Sequence, residues 1–307
     1  MVQEDKSGNS RYEELELGEI FSVIWADKLL IVGVTAIFIL VSVCYALSIP
    51  NQYSATAVVT STQGGGGGLA SVMGRFGGLA SLAGVDVGGG SQKDAKIARQ
   101  IMQSRGFIEK FIKENDLSAE VFAARGWDKK ANRLIMDSRL YDTDTAQWLP
   151  DAANGGSAEP SGWQLYNRFS DMFSVSDDPV NGVISISVEY YSPQLAKELV
   201  DKLIIGINDH LKNQKLQKVN VNIQYLEAQI QKTSITEMKN VFYTIIEEQI
   251  KSKMLAEASP EYAFITVSPA MIPEQKSRPN RSLICIMGGI MGSFLATLTV
   301  LIRRFAW

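Results

Sequence analysis

Two long apolar runs, residues 29–49 and 283–302, flank a stretch in which apolar and polar positions are mixed. Each run has about 20 residues without a charged side chain, and at about 1.5 Å per residue this length crosses a hydrocarbon core of about 30 Å. A helix buried in a soluble domain would normally carry a polar stripe. The pattern therefore predicts two transmembrane helices, with both termini on one side of the membrane.

Basic residues do not decide the orientation, because they stand on both sides of the second run, at Lys276, Arg278, Arg281, Arg303 and Arg304. Long domains are exported largely regardless of charge. We expect a cytoplasmic segment over residues 1–28, a periplasmic domain over residues 50–282 and a cytoplasmic tail over residues 303–307.

Between the runs, β-branched or alternating stretches predict strands at residues 53–60, 173–176, 184–190 and 262–267. The second and third strands form a hairpin, and the fourth is expected beside the first. Apolar residues at three- and four-residue spacing predict a helical stretch over residues 94–115. Residues 115–162 are polar and broken by Gly, Pro and Asn, so we expect loops there with a short helix around Arg133.

Ser192 followed by Pro193 is a strong helix-start signal, and helical patterning continues to about residue 231. In its second half, apolar residues recur with a 3, 4, 3, 4 rhythm that needs a partner helix. These residues, the hairpin stripe, are Leu216, Val219, Ile223, Leu226 and Ile230. Ser234 and Glu237 form a capping-box pattern for a second helix that ends near residue 258. We therefore expect a long helical hairpin over residues 193–258 that projects from the membrane and leaves apolar surface for a neighbouring subunit.

The second apolar run carries a small residue at every fourth position, Gly288, Gly292 and Ala296, which predicts close packing against another membrane helix. Before it, Pro269, Pro273 and Pro279 keep residues 269–281 extended. The predicted fold class is an α+β membrane protein, in which two transmembrane helices flank a mixed α/β base domain with a projecting helical hairpin.

A glycine-rich insertion occupies residues 64–90 and contains the repeat GGLASVMG at 67–74 and GGLASLAG at 77–84. Neither phosphate-binding glycine motif, GxxxxGK[ST] or GxGxxG before a helix, is present, so we predict no nucleotide site. Two interpretations stay open: a disordered insertion, or an apolar segment that packs in one context and moves in another.

The composition of the chain offers few residues for catalysis or metal binding. Basic and acidic residues number 30 and 33, for a net charge of −3, so nucleic-acid binding is disfavoured. Both cysteines, Cys44 and Cys285, lie in the apolar runs, and His210 is the only histidine. No nucleophilic or metal-binding constellation can be assembled from these residues, and His210 is expected to be a surface residue of the long helix.

Three carboxylate pairs could in principle perform acid–base chemistry: Asp142 with Asp144, Asp177 with Asp178, and Glu247 with Glu248. The first two stand in turn-like segments. The third places neighbouring residues about 100° apart on a helix, so the two carboxylates do not converge on one bond. We predict no catalytic residue, no cofactor and no metal, and hence a protein that is not an enzyme.

A family resemblance rests on motifs at both ends of the chain. Glu16 and Leu17 precede the first run, Trp25 and Lys28 stand at its edge, and P-x-x-Y-x-A follows it at Pro50, Tyr53 and Ala55. The second half contributes Ser192-Pro193 and the stretch MLA…PEYAF…PAMIPEQKSRPNR before the second run. This arrangement, from about residue 13 to 304, resembles the Wzz-type polysaccharide chain-length determinants, or polysaccharide co-polymerases. The glycine-rich insertion departs from the better-known members.

The resemblance implies a non-enzymatic protein of the bacterial inner membrane that assembles into a ring with a bell-shaped periplasmic body. It implies control over the modal length of O-antigen or a related polysaccharide, exerted together with a Wzy-type polymerase. A lipid-linked glycan is a further candidate partner.

Three alternatives remain. The first is a co-polymerase of a kinase-coupled capsule or exopolysaccharide export system, whose ATP-binding domain would have to be on another chain because this one stops at Trp307. The second is a two-span periplasmic adaptor or sensor. The third, a glycosidase or transferase, would show activity in the purified protein.

Overall fold

The computed structural model describes residues 25, 27–61, 90–150, 159–178 and 180–305. The predicted glycine-rich insertion lies outside the described residues except for Gly90, and so does most of the predicted segment 1–28. The chain divides into two compact units: Met1–Pro50 together with Pro279–Trp307, and Asn51–Arg278.

The first unit is a pair of helices, α1 (Lys28–Ser48) and α8 (Arg281–Phe305). Both are long and apolar enough to cross a membrane, as judged by length and composition. Helix α1 ends at Ile49, which is extended with ψ 126°, because Pro50 disfavours helical geometry in the residue before it. Large apolar side chains such as Leu29 and Leu40 are exposed on its surface.

The second unit is built on a four-stranded antiparallel sheet with the order β6-β7-β1-β8. Its strands are β1 (Tyr53–Ser61), β6 (Phe173–Asp178), β7 (Val183–Tyr190) and β8 (Phe264–Ser268). The predicted β6–β7 hairpin and the pairing of β8 with β1 are both confirmed. Strand β7 buries every second residue, as its alternating sequence predicts, and the buried set is Ile184, Ile186, Val188 and Tyr190.

The longest helix, α6 (Pro193–Lys232), begins as predicted, because Ser192 is the N-cap and its hydroxyl accepts a hydrogen bond from the Leu195 backbone N–H. Its first half packs on the buried face of β1 and β7. The side chains buried there include Leu199, Leu203 and Ile207.

The predicted helix over residues 94–115 is wrong in detail, since the structure has two helices, α2 (Gly90–Met102) and α3 (Arg105–Glu114). The break falls at Ser104, which is the N-cap of α3 and accepts a hydrogen bond from the Phe107 backbone N–H at 3.3 Å. A serine cap starts a new helix and so interrupts the apolar periodicity.

The prediction for residues 115–162 is also wrong, because this stretch contains regular structure and Arg133 lies in a strand. After helix α4 (Ser118–Phe122) come two small hairpins, β2–β3 and β4–β5. Their strands are Ala124–Asp128, Arg133–Met136, Tyr141–Asp142 and Gln147–Trp148. The β2–β3 turn is set by Asn132, whose positive φ of 49° is tolerated by asparagine and whose side chain accepts from the Trp127 indole N–H.

Helix α5 (Gly162–Met172) follows, and it carries a capping box between Ser161 and Gln164 that the sequence reasoning missed. The capping box predicted at Ser234 and Glu237 is wrong. Helix α7 (Thr236–Ala258) begins one residue later than that pattern requires, and Ile235, which has no side chain for capping, stands at its N-cap. The helices α6 and α7 pack against each other as a hairpin.

Candidate functional site

The two ends of the second unit meet at the residues next to the family motifs. The backbone N–H of Gln52 donates to the carbonyl of Arg278 at 2.9 Å, and the N–H of Ser277 donates to the carbonyl of Gln52 at 2.8 Å. The guanidinium of Arg278 also forms an ion pair with Glu189 at 2.9 Å. The segment before the second apolar helix is thereby fixed to the start of β1.

The predicted motif positions near the membrane are buried in the protein to different extents. Tyr53 is half-buried, with its ring 5.9 Å from that of Trp127 in an edge arrangement, and Ala55 is buried opposite Val188 in the sheet. Of the prolines, Pro50 and Pro269 are exposed, whereas Pro273 and Pro279 are half-buried.

The small-residue stripe of α8 packs against α1 of the same chain. A Cβ atom at Gly292 would stand 2.6 Å from the Cβ of Phe38 and 3.3 Å from the Cα of Thr35. A Cβ atom at Gly288 would collide with the side chain of Ser42. Ala296 is fully buried. The absence of larger side chains therefore lets the two apolar helices approach closely.

The hairpin stripe lies on the side of α6 that is least exposed. Val219 and Ile230 are buried, and Leu216, Ile223 and Leu226 are half-buried. Lys212 donates from its ammonium to the carbonyl of Glu257 across the hairpin at 3.3 Å. The stripe is thus at least partly covered within one chain.

Other apolar residues of the hairpin remain exposed in the single chain. Those with more than half of their surface accessible are Ile205, Val221, Tyr225, Ile235, Val241, Tyr243, Met254 and Leu255. Exposed apolar side chains on both helices of the hairpin leave surface that a protein partner could cover.

A groove with a volume of about 500 Å³ lies between α3 and the middle of α6. Helix α3 and its C-cap contribute Phe107, Lys110, Phe111, Glu114 and Asn115. Helix α6 contributes Lys202, Ile205, Gly206, Asp209, His210 and Asn213. The two phenylalanines are buried beneath the groove, whereas Ile205 is exposed.

His210 is half-buried in this groove rather than a plain surface residue, which corrects the sequence-based expectation. Its ring stands edge-on to Phe107 with 5.6 Å between centroids. Partial burial lowers the pKa of His210 below 6.5 and the Lys110 ammonium lowers it further, while Glu114 raises it. The imidazole is therefore neutral at neutral pH.

In each of the three carboxylate pairs, one carboxylate is engaged within its own turn or helix. Asp142 and Asp178 each accept hydrogen bonds from their own turns, which lowers the pKa of both carboxyl groups. Glu247 pairs with Lys251 one helical turn away. Among the residues that the structure describes, no group of three or more His, Cys, Asp or Glu side chains could hold a metal ion.

An ion-pair cluster around the buried carboxylate of Asp137 was missed by the sequence reasoning. Asp137, which follows β3, pairs with Arg125 at 3.0 Å and with Arg139 at 2.9 Å. The hydrogen bonds from Arg139, followed by that from Arg125, hold the pKa of Asp137 well below its usual range. The cluster ties the β2–β3 hairpin to the chain that follows it.

Residues 13–115 match a family model described as Wzz, chain length determinant protein. The resemblance drawn from the sequence is thereby confirmed: over these residues the chain is similar to the Wzz chain-length determinants.

Among solved structures, the chain is similar to a full-length bacterial polysaccharide co-polymerase, with 13% identity and a TM-score of 0.38, over 95% of this chain and 98% of that one. It is also similar to a fragment of WzzB, a polysaccharide co-polymerase from Salmonella Typhimurium, with 12% identity and a TM-score of 0.26, over 74% of this chain and 100% of that one. No curated protein matches the chain.

Proposed function

We propose that this chain is an inner-membrane scaffold that regulates the length of O-antigen or a related surface polysaccharide, together with a Wzy-type polymerase. The observation that carries the proposal is the match of residues 13–115 to the chain-length-determinant model. That family regulates polymer length and does not form or break the polymer itself, which agrees with carboxylate pairs that are engaged in turns and helical ion pairs.

The proposed topology has residues 1–28 in the cytoplasm, spans at 29–49 and 283–302, a periplasmic domain over 50–282 and a cytoplasmic tail at 303–307. It is supported by two helices of sufficient length and apolar character. The intervening chain folds as a separate unit. In this proposal Gly288, Gly292 and Ala296 hold the two spans together.

The proposed assembly is a ring-like homo-oligomer whose subunits meet along the helical hairpin. Its support is the exposed apolar surface around Val221, Tyr225 and Tyr243, which a single chain leaves open to water. The hairpin stripe from Leu216 to Ile230 would hold each hairpin closed, and the neighbouring subunit would cover the outer surface. A lipid-linked glycan is proposed as a further partner.

The proposal is tested by separating surface polysaccharide on a gel from a strain with this gene, a deletion strain and the complemented deletion strain. We expect a modal cluster of lengths that disappears on deletion and returns on complementation. An identical ladder in all three strains would contradict the proposal.

A further inference from the structure

The turn between β2 and β3 presents three basic side chains to water. Lys129, Lys130 and Arg133 are all exposed. Among the described residues, no hydrogen-bond or ion-pair partner is found for any of these three side chains. The acidic residue of the turn, Asp128, accepts hydrogen bonds from the backbone N–H groups of Lys130 and Ala131, at 2.8 and 3.3 Å. The turn therefore has a net positive charge.

The turn is fixed at one end of the base-domain sheet. The side-chain oxygen of Asn132 accepts a hydrogen bond from the indole N–H of Trp127 at 3.2 Å. The Trp127 ring in turn stands 5.9 Å from the ring of Tyr53, the first residue of β1. Because Asp128 and Asn132 both hold the turn in place, its basic residues stay beside the start of β1.

The start of β1 is the place where the chain leaves the first apolar helix. Four peptide units join Ile49, which follows α1, to Tyr53, so the chain spans at most about 14 Å between them. A helix that crosses the hydrocarbon core ends at the level of the lipid headgroups. The covalent chain alone therefore keeps the start of β1 near the membrane surface.

The turn at the other end of the same sheet has the opposite charge. Thr60 pairs with Val183 beside the β6–β7 turn, seven residues along β1 from Tyr53, or about 23 Å. That turn contains Asp177 and Asp178, and the sequence from 176 to 183 has no basic residue. The positive turn thus stands at the end of the sheet that is joined to the apolar helix, and the negative turn stands at the far end.

Aromatic and apolar side chains accompany the basic ones. Tyr53 and Trp127 are half-buried, so part of each ring reaches the surface. Ile135 is 52% exposed and lies two residues after Arg133, on the same face of β3. Tyrosine and tryptophan are enriched at the membrane–water interface, and lysine and arginine next to it are attracted to anionic lipids. This combination favours a lipid surface as the partner.

We propose that the basic turn, residues 128–133, binds anionic phospholipid headgroups of the bilayer that α1 and α8 cross. The ammonium groups of Lys129 and Lys130 and the guanidinium of Arg133 contact the lipid phosphates. This contact attaches the base domain to the membrane in addition to its two covalent connections. The inference rests on the proposed membrane anchoring and not on the control of polysaccharide length.

A photoreactive residue, p-benzoylphenylalanine, in place of the exposed Ala131 tests the contact. Full-length protein is placed in nanodiscs of phosphatidylcholine, alone or mixed with phosphatidylglycerol, irradiated and weighed by intact mass spectrometry. We expect a phospholipid adduct that is about 10-fold more abundant with phosphatidylglycerol and that declines as salt screens the charges. The same probe at Val180, an exposed residue of the acidic turn, should form no adduct.

A pair of charge variants shows whether the basic side chains are responsible. Lys129→Gln combined with Lys130→Gln should reduce the adduct about 10-fold or more, because each basic residue near an anionic surface contributes about fivefold. Lys218→Gln combined with Lys232→Gln removes the same charge from exposed positions of α6 and should leave the yield unchanged. Equal yields from the two double variants would contradict the proposal.

The remaining outcomes also decide the question. No adduct at position 131, or equal adduct in both kinds of nanodisc, would overturn the proposal. A covalent dimer as the main product would make the turn a subunit contact, and an adduct that carries a glycan in irradiated cells would make the partner a lipid-linked sugar; either result overturns it. A chain that does not enter nanodiscs would refute the membrane anchoring itself, whereas the polysaccharide gel tests length control independently.

Discussion

Asn208 binds the backbone of Phe264 from the middle of the longest helix. Its side-chain amide donates to the Phe264 carbonyl at 3.1 Å, and its oxygen accepts from the Phe264 N–H at 2.9 Å. The oxygen also accepts from the N–H of Ala263 at 2.8 Å. Because Asn208 is buried, this contact joins α6 to the first residues of β8 where water does not compete.

Asn208→Ala should therefore destabilise the base domain by about 2–4 kcal/mol, since buried backbone groups lose their partners. Urea unfolding of the full chain in detergent measures the loss, and hydrogen exchange should accelerate at the amides of residues 263 and 264. Asn220→Ala, at an exposed position of the same helix, is the control and should change little. Equal stability of the two variants would show that the contact is dispensable.

Alanine substitutions at two glycines of α8 allow a matched test of the packing between the two apolar helices. At Gly292 a methyl group would be forced against Phe38 and the backbone of Thr35, whereas at Gly289 it would meet Ile39 at an ordinary 3.5 Å. Gly292→Ala should therefore separate α1 from α8 and Gly289→Ala should not. Distances between spin labels at the exposed positions Leu40 and Met291 measure the separation. The same distance in both variants would refute this packing.

Substitutions at two neighbouring positions of the helical hairpin test its folding and its assembly separately. Val219 is 1% exposed, so Val219→Asp would bury an unpaired carboxylate and should reduce the helical content of the hairpin. Val221 is 57% exposed, so Val221→Asp should leave the helices intact but split the oligomer. Circular dichroism and native mass in mild detergent are the two measurements. A monomeric unmodified protein would contradict the proposed assembly.

The pKa of His210 should depend on the charges of the neighbouring side chains. The imidazole should titrate below 6.5; Lys110→Gln should raise its pKa and Glu114→Gln should lower it. Because the unfolded chain binds the proton more readily, the free energy of unfolding should fall as the pH drops from 6.5 through the folded-state pKa. Nuclear magnetic resonance of the single imidazole checks all three directions. A lowered pKa in Lys110→Gln, or a raised pKa in Glu114→Gln, would contradict the groove geometry.

The proposed topology predicts that a reporter active only in the periplasm is active when inserted near residue 154 and inactive when fused after Trp307. Active reporters at both places would rule out two spans, and the reversed pattern would place the base domain in the cytoplasm.

Much of this fold could be predicted where a short stretch of sequence determines its own structure. Strand β7 follows from its strict alternation, and the start of α6 follows from Ser192 and Pro193. The two hairpins at residues 124–148 could not be predicted in this way, because strand β3 depends on pairing with β2 rather than on its own pattern.

The groove could not be predicted because its two walls are remote in sequence. Phe107 and His210 come together only when α3 packs beside α6. A sequence signal was present in Gly206, a glycine in the interior of an otherwise regular helix, but its significance depends on what faces it. The ion pair of Asp137 could not be predicted either, because its partner Arg125 lies in β2 and reaches Asp137 only when the β2–β3 hairpin has formed.

We propose that this chain sets polymer length without forming or breaking glycosidic bonds. Total surface polysaccharide and its length distribution, measured on the same cells with and without the gene, distinguish the two roles. We expect a similar total mass of sugar in both strains, with a distribution that loses its modal length in the deletion strain. Loss of the polysaccharide itself, or an unchanged distribution, would contradict it.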